Sequence, residues 1–194
     1  MQDFSGKIEE DGRNLVDELK GLSNEEVIAR LDERRNDLEI AIWNVAHDFN
    51  MGTIVRNANN FNVRKVHIIG QRKYNRRGAM CTDKYLEICH WFDLESFFAD
   101  QRSRQREVVA IENNVERARG LSSKRFRDGT TLVFGSESDG LNEKFLREPS
   151  SDNNFCGADD VRYIESFGST RSVNVGVASG IAMYEWVRQR VIQE

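Results

Sequence analysis

Residues 130–141 read Thr-Thr-Leu-Val-Phe-Gly-Ser-Glu-Ser-Asp-Gly-Leu. Five β-branched or apolar residues in succession, with no charge among them, have the composition of a strand covered on both faces. Gly135 ends that run, and Gly140 ends the polar loop behind it. A buried strand that runs into a glycine-bounded loop is where open α/β sheets collect ligands, because loops meet helix N-termini at the carboxyl ends of the strands. The loop matches none of the common ligand motifs. GxGxxG is absent, no GK[ST] follows, and Glu137 stands where a nucleophile elbow needs serine. Its two glycines, five apart, admit close approach of backbone to a ligand.

Runs of the same kind recur on both sides. Residues 38–45 (LEIAIWNV), 65–69 (KVHII), 107–111 (EVVAI) and 161–164 predict four further strands. Helices are expected over 52–61, 92–99 and 173–191, the last with Val173, Val177, Ile181, Tyr184 and Val187 on one apolar face. Short apolar strands alternating with helices imply the α/β class, a parallel sheet with helices on both faces. Residues 1–37 predict a helical N-terminal extension. Ser23 and Glu26 form a capping box there, and so short a segment cannot bury a core of its own. Residues 38–194 then form the one main domain.

The 194 residues carry 39% apolar and 31% charged side chains, a soluble globular balance. Without an apolar run of about 18 residues no membrane span is expected, and the polar, acidic start suggests no leader, which places the chain in the cytoplasm. Cys81, Cys89 and Cys156 include no CxxC pair, so no metal is expected. The net charge of −4 runs against nucleic-acid binding, but Arg72, Lys73, Arg76 and Arg77 cluster around Tyr74, which suits phosphates and a stacked base.

Two more loops have unusual content. Asn50-Met51-Gly52-Thr53-Ile54-Val55-Arg56 follows the first strand, with Asn50 expected to cap the helix and Arg56 on its second turn. His47, just before it, is read as a structural histidine. Residues 164–178 run from Ile164-Glu165-Ser166 to Ser172-Val173-Asn174, with Ser172 expected as the cap of the last helix and Asn174 in its first turn. Ala178, Gly180 and Ala182 are small enough to let another helix come close.

Taken together, NMGTIVR (50–56), GSESDGL (135–141) and SVNVGVASGIAMYEWVRQ (172–189) resemble, in order, the three motifs of the SpoU/TrmH branch of the SPOUT RNA methyltransferases. The resemblance covers about residues 38–191. It implies a parallel sheet with a C-terminal deep trefoil knot, a homodimer, and methyl transfer from S-adenosyl-L-methionine to a ribose 2′-hydroxyl of tRNA or rRNA, without a metal. It implies a catalytic set of Asn50, Arg56, Glu137, Ser172 and Asn174. The cofactor would lie against Gly135, Gly140, Leu141, Ile164 and Val173, with Glu112 a further candidate, and the RNA against Arg72, Lys73, Arg76 and Arg77. Arg56 is expected to hold phosphate or the developing alkoxide, since a guanidinium is a poor base near neutrality. The family often has Ile-Pro-Met where this chain has Ile164-Glu165-Ser166, a change that puts a carboxylate near the cofactor loop. The alternative is a non-catalytic RNA-binding protein of the same fold.

Overall fold

The computed structural model describes residues 7–43, 48–70, 76–136, 140–147 and 157–192. Seven strands, β1 (Asn36–Trp43), β2 (Val63–Ile69), β3 (Glu87–Trp91), β4 (Glu107–Ile111), β5 (Arg119–Gly120), β6 (Thr130–Phe134) and β7 (Asp160–Tyr163), form one sheet in the order β3-β2-β1-β6-β4-β7-β5. Every pairing is parallel. The helices are α1 (Asn24–Asp32), α2 (Asp48–Asn60), α3 (Leu94–Ser103), α4 (Glu143–Leu146) and α5 (Val175–Arg190).

Alternation along the strands sends side chains to two cores. Ile40, Ile42, Val66, Ile68, Leu132 and Phe134 pack under α2 and α5, against Ile54, Val55, Ala58, Met183 and Trp186. Ala41, Ile69, Val108, Ala110, Val133 and Val161 face the other way, onto Leu94, Phe97, Phe98 and Phe145 of α3 and α4. The N-terminal segment adds a small third cluster, in which Leu19 and Val27 meet Tyr85. The predicted capping box is present: Ser23 accepts from Glu26 N, and the Glu26 carboxylate accepts from Ser23 N.

The expected strands at 107–111 and 130–134 are found with those bounds, and the expected 65–69 and 161–164 are shifted by one or two residues. The first strand starts two residues early, at Asn36, and is described to Trp43; residues 44 and 45 lie outside the described residues, as does His47. Several readings need correction. Strand β3 was not expected, because EICHW is an edge strand, half exposed and without apolar alternation. Neither were β5, only two residues long, and α4, one turn. The helix expected from 92 begins at Leu94 behind the cap Asp93, whose carboxylate accepts from Ser96 N. Helix α2 begins at Asp48, so Asn50 lies inside its first turn and does not cap it. Helix α5 begins at Val175 with Asn174 as its cap, not Ser172.

Of the apolar stripe expected on the last helix, only Val187 packs against the core. Val173, Val177, Ile181 and Tyr184 are exposed, while Val175, Ala178, Ala182, Met183 and Trp186 are buried. The apolar positions of α5 simply run round more than one face. The helix that its small residues admit is α2 of the same chain. A Cβ on Gly176 would lie 2.9 Å from Thr53 Cγ2, and one on Gly180 would lie 3.3 Å from Asn57 Nδ2.

The amino half of the sheet holds a buried polar network on its α3 face. Glu39 is fully buried and accepts from Arg104 at 2.7 and 2.9 Å. His67 is equally buried; Trp91 Nε1 donates to its Nδ1 at 2.9 Å, so the ring proton sits on Nε2 and is given to Glu39 at 2.8 Å. Burial pushes the His67 pKa below its ordinary 6.5, against the pull of Glu39. Burial pushes the Glu39 carboxyl up, but the bonds from His67 and Arg104 and the charge of Arg106 outweigh it and hold the group well below the usual carboxylate range. Arg106 completes the network, bonding Thr131 Oγ1 and Asp37.

Candidate active site

A cavity of about 480 Å³ opens at the carboxyl ends of β4, β6 and β7, where Ile111, Phe134 and Tyr163 are the last or near-last strand residues on its wall. Those three strands are neighbours in the sheet and lie on the side of β1 opposite β2 and β3. Its walls also include Glu112, Asn113, Asn114, Gly135, Ser136, Gly140 and Ile164, and the segment Ser172–Val175 with Ala178. The volume and the mixed apolar and polar lining suit a ligand of cofactor size.

The glycine loop explains itself locally. Ser136 and Gly140 exchange backbone hydrogen bonds, 3.2 and 2.9 Å. A Cβ on Gly135 would stand 2.4 Å from Gly140 C, so the room at Gly135 is taken by the loop itself rather than by a ligand. Gly140 needs its φ of +65°, and a side chain there would strike Glu112. Glu112, in turn, accepts from Asn113 N at 2.9 Å and from Leu141 N at 3.1 Å. Its carboxylate ties the end of β4 to the loop after β6. Asn113 Nδ2 donates to Arg171 O at 2.5 Å and so holds the third loop to the same strand end.

Asn174 joins the third loop to the first. Its Oδ1 accepts from Gly176 N at 2.9 Å and Val177 N at 3.3 Å, the N-cap pattern. Its Nδ2 donates to Asn50 Oδ1 at 3.0 Å, on α2. Below that bond, Asn57 Nδ2 donates to Gly176 O and Ser179 Oγ, fixing α2 against the first turn of α5. Arg56 is exposed and makes no ion pair or hydrogen bond among the described residues.

Of the residues singled out from sequence, Glu112, Gly135, Gly140, Ile164, Ser172, Val173 and Asn174 line the cavity. Asn50 reaches it through Asn174, and Leu141 is buried behind the loop and contributes its N–H to Glu112. Arg56 stands outside the wall. Glu137, Arg72 and Lys73 lie outside the described residues; Arg76 and Arg77 begin a 3-10 turn, Arg76–Ala79. Glu165 lies over Gly120 of β5 and does not line the cavity, although its neighbour Ile164 does. Sequence reading missed Asn113, Asn114, Ser136 and Tyr163, which carry no motif. Their one signal is position, directly at or after the end of a strand.

A family model described as the SpoU rRNA Methylase family matches residues 37–184. The chain belongs to the SpoU family. Among curated proteins it is similar to the 23S rRNA (guanosine-2'-O-)-methyltransferase RlmB of Photobacterium profundum, 25% identical over 211 residues, spanning 99% of this chain and 82% of the relative. It is also similar to the tRNA (guanosine(18)-2'-O)-methyltransferase of Thermus thermophilus, 27% identical over 171 residues, spanning 86% of this chain and 81% of the relative. The crystal structure of the A. aeolicus TrmH/SpoU tRNA modifying enzyme superposes with a TM-score of 0.73 at 23% identity, covering 86% of this chain and 82% of that one. The parallel sheet of this SpoU chain is thus the fold of that enzyme. No helix among the described residues is long and apolar enough to cross a membrane.

Proposed function

We propose that this SpoU chain transfers a methyl group from S-adenosyl-L-methionine to the ribose 2′-hydroxyl of a nucleotide in tRNA or rRNA. The observation that carries the reading is the meeting of all three motif loops at one place. The glycine loop and the third loop wall the cavity, and the Asn50–Asn174 bond ties the first loop to them. The cofactor would lie against Gly135, Gly140, Ile164 and Val173, with Glu112 and Leu141 holding the loop in shape. When bound, it supplies a sulfonium methyl whose leaving group is a neutral sulfide, so no metal is needed.

The chain's own part is alignment and charge. Arg56 binds the phosphate beside the target ribose and stabilises the alkoxide as the 2′-hydroxyl loses its proton. Asn50 and Asn174 keep α2 and α5 in register so that Arg56 can meet the ribose, Ser172 completes the pocket, and Glu137 has the role of fixing Arg56 or the third loop. Arg72, Lys73, Arg76 and Arg77 contact the RNA backbone. Residues 38–194 form the catalytic domain, with residues 1–37 an extension of it. Two further features follow from the family. The interleaved order β6-β4-β7-β5 supports a C-terminal trefoil knot. The exposed stripe Val177, Ile181 and Tyr184 on α5 supports a homodimer, and an Ile181→Glu chain should sediment as a monomer.

The test is methyl transfer from labelled S-adenosyl-L-methionine into unmodified tRNA and rRNA, with Arg56→Ala as control. Label at an alkali-resistant linkage, lost in the variant, supports ribose methylation and tells which RNA is the substrate. No incorporation and no cofactor binding would overturn it in favour of a non-catalytic RNA-binding protein.

A further inference from the structure

A second cavity, also of about 480 Å³, is walled by Ile28 and Asp32 of α1, by Arg35 and Arg64, and by residues 84–87. Arg64 is the second residue of β2 and Glu87 the first of β3. The cavity therefore lies at the amino ends of the parallel strands, where the N-terminal extension meets the sheet. It shares no lining residue with the cavity at the carboxyl ends. Both carboxylates on its wall have cations of their own. Asp32 pairs with Arg35 at 2.9 Å, and Glu87 pairs with Lys65 at 2.8 Å. Arg35 is spent further, on Asn62 Oδ1 and on the carbonyl oxygens of Val63 and Tyr85. The other two cations of the wall are less well supplied. Among the described residues Arg64 pairs only with Asp37, at 3.3 Å, and Asp37 is shared with Arg106 at 2.9 Å. Lys84 Nζ is buried without a hydrogen-bond partner, and it lies over the Tyr85 ring, 4.9 Å from the centroid.

An ammonium out of water with all three donors unused is costly, and an aromatic face replaces water only in part. With Asp32 and Glu87 already neutralised, the wall carries a positive surplus, Lys84 together with a guanidinium whose one partner is shared. The flexible lysine stem lets the ammonium turn from the ring into the cavity, and the arginine fork offers parallel donors beside it. A compact oxyanion with several acceptor oxygens meets both needs. We propose that this cavity is an anion site, in which Lys84 and Arg64 hold a phosphate group between α1 and the first residues of β2 and β3. The phosphate is free in solution or belongs to an RNA backbone, and the experiment separates these sources. The site does not depend on the methyl-transfer reading above.

The test titrates the full chain by calorimetry, at constant ionic strength, with inorganic phosphate and with a decauridylate that lacks terminal phosphates. The wild-type chain should bind inorganic phosphate saturably. Lys84→Met and Arg64→Gln should each weaken that binding about tenfold. Lys84→Met should unfold no earlier than wild type, since it discards a buried charge that has no acceptor. Decauridylate that is displaced by inorganic phosphate and weakened by both substitutions assigns the site to an RNA backbone. Phosphate binding without such displacement assigns it to a free anion. Phosphate that does not saturate the chain, or that binds both variants as tightly as wild type, would overturn the site. So would a midpoint several degrees lower in Lys84→Met with no phosphate present, which would make the Lys84–Tyr85 contact a purely structural one.

Discussion

In the amino half of the sheet, the fully buried Glu39 carboxylate accepts from two nitrogens of Arg104 and from the buried His67. On α2, Arg56 is exposed and without an ion pair among the described residues, and the loops around the cavity are held by the Glu112 carboxylate, which accepts from backbone N–H groups, and by Asn50, Asn113 and Asn174. One region spends its charges on internal partners, and the other keeps a guanidinium available. A buried charge whose partners are complete can only hold structure, whereas an exposed one keeps its donors in solvent. The difference separates residues that matter for folding from residues that matter for chemistry, and it can be tested as such.

The sharpest break would come from Arg56→Ala. Loss of a donor that stabilises a developing oxyanion typically costs about 10²- to 10³-fold in turnover. With no ion pair to orphan among the described residues, the thermal midpoint should stay where it is. A large drop in midpoint would place Arg56 in the structural class after all. Glu39→Gln should do the reverse. It leaves Arg104 and Arg106 without their shared carboxylate, a loss of about 3 kcal/mol in denaturant unfolding, while methylation per folded molecule is retained. Asn174→Ala sits between the two classes. It removes the α5 cap, worth about 1 kcal/mol, and also the bond to Asn50, so both the midpoint and the RNA turnover should fall; Asn174→Asp should recover the first and not the second.

The smallest effect is on pH dependence. His67 is held below its ordinary 6.5, so on acidification the unfolded chain takes up this proton first, and stability declines as pH falls below about 6.5. Glu39 is held below its ordinary 4.5; its contribution is complete above that value and is lost as pH falls through the lower folded-state value. Unfolding free energy measured from pH 8 to 4 should therefore decrease toward acid, first through His67. A curve flat between pH 7 and 5 would show that His67 is not a buried neutral ring.

Composition and periodicity alone carried the class. Buried parallel strands are continuous apolar runs, so KVHII, EVVAI and TTLVF stand out wherever they are placed. Motif order carried the site loops, and with them seven of the residues that wall the cavity. Edges and ends were less legible. EICHW lies at the sheet edge and obeys no alternation, and Asn174 rather than Ser172 became the cap because the helix starts two residues after Val173. Nothing in the sequence marks Glu39 and His67 as partners, since they lie 28 residues apart and meet only because β1 and β2 pair in parallel. Likewise Gly52 and Gly78 look like ordinary glycines until the turn after β2 is laid on α2. Local side-chain chemistry decides which segments are strands, helices and loops. Which polar groups find partners, and which are left for a ligand, depends on strand order and helix packing, and these contacts between distant parts of the chain exist only in the tertiary structure.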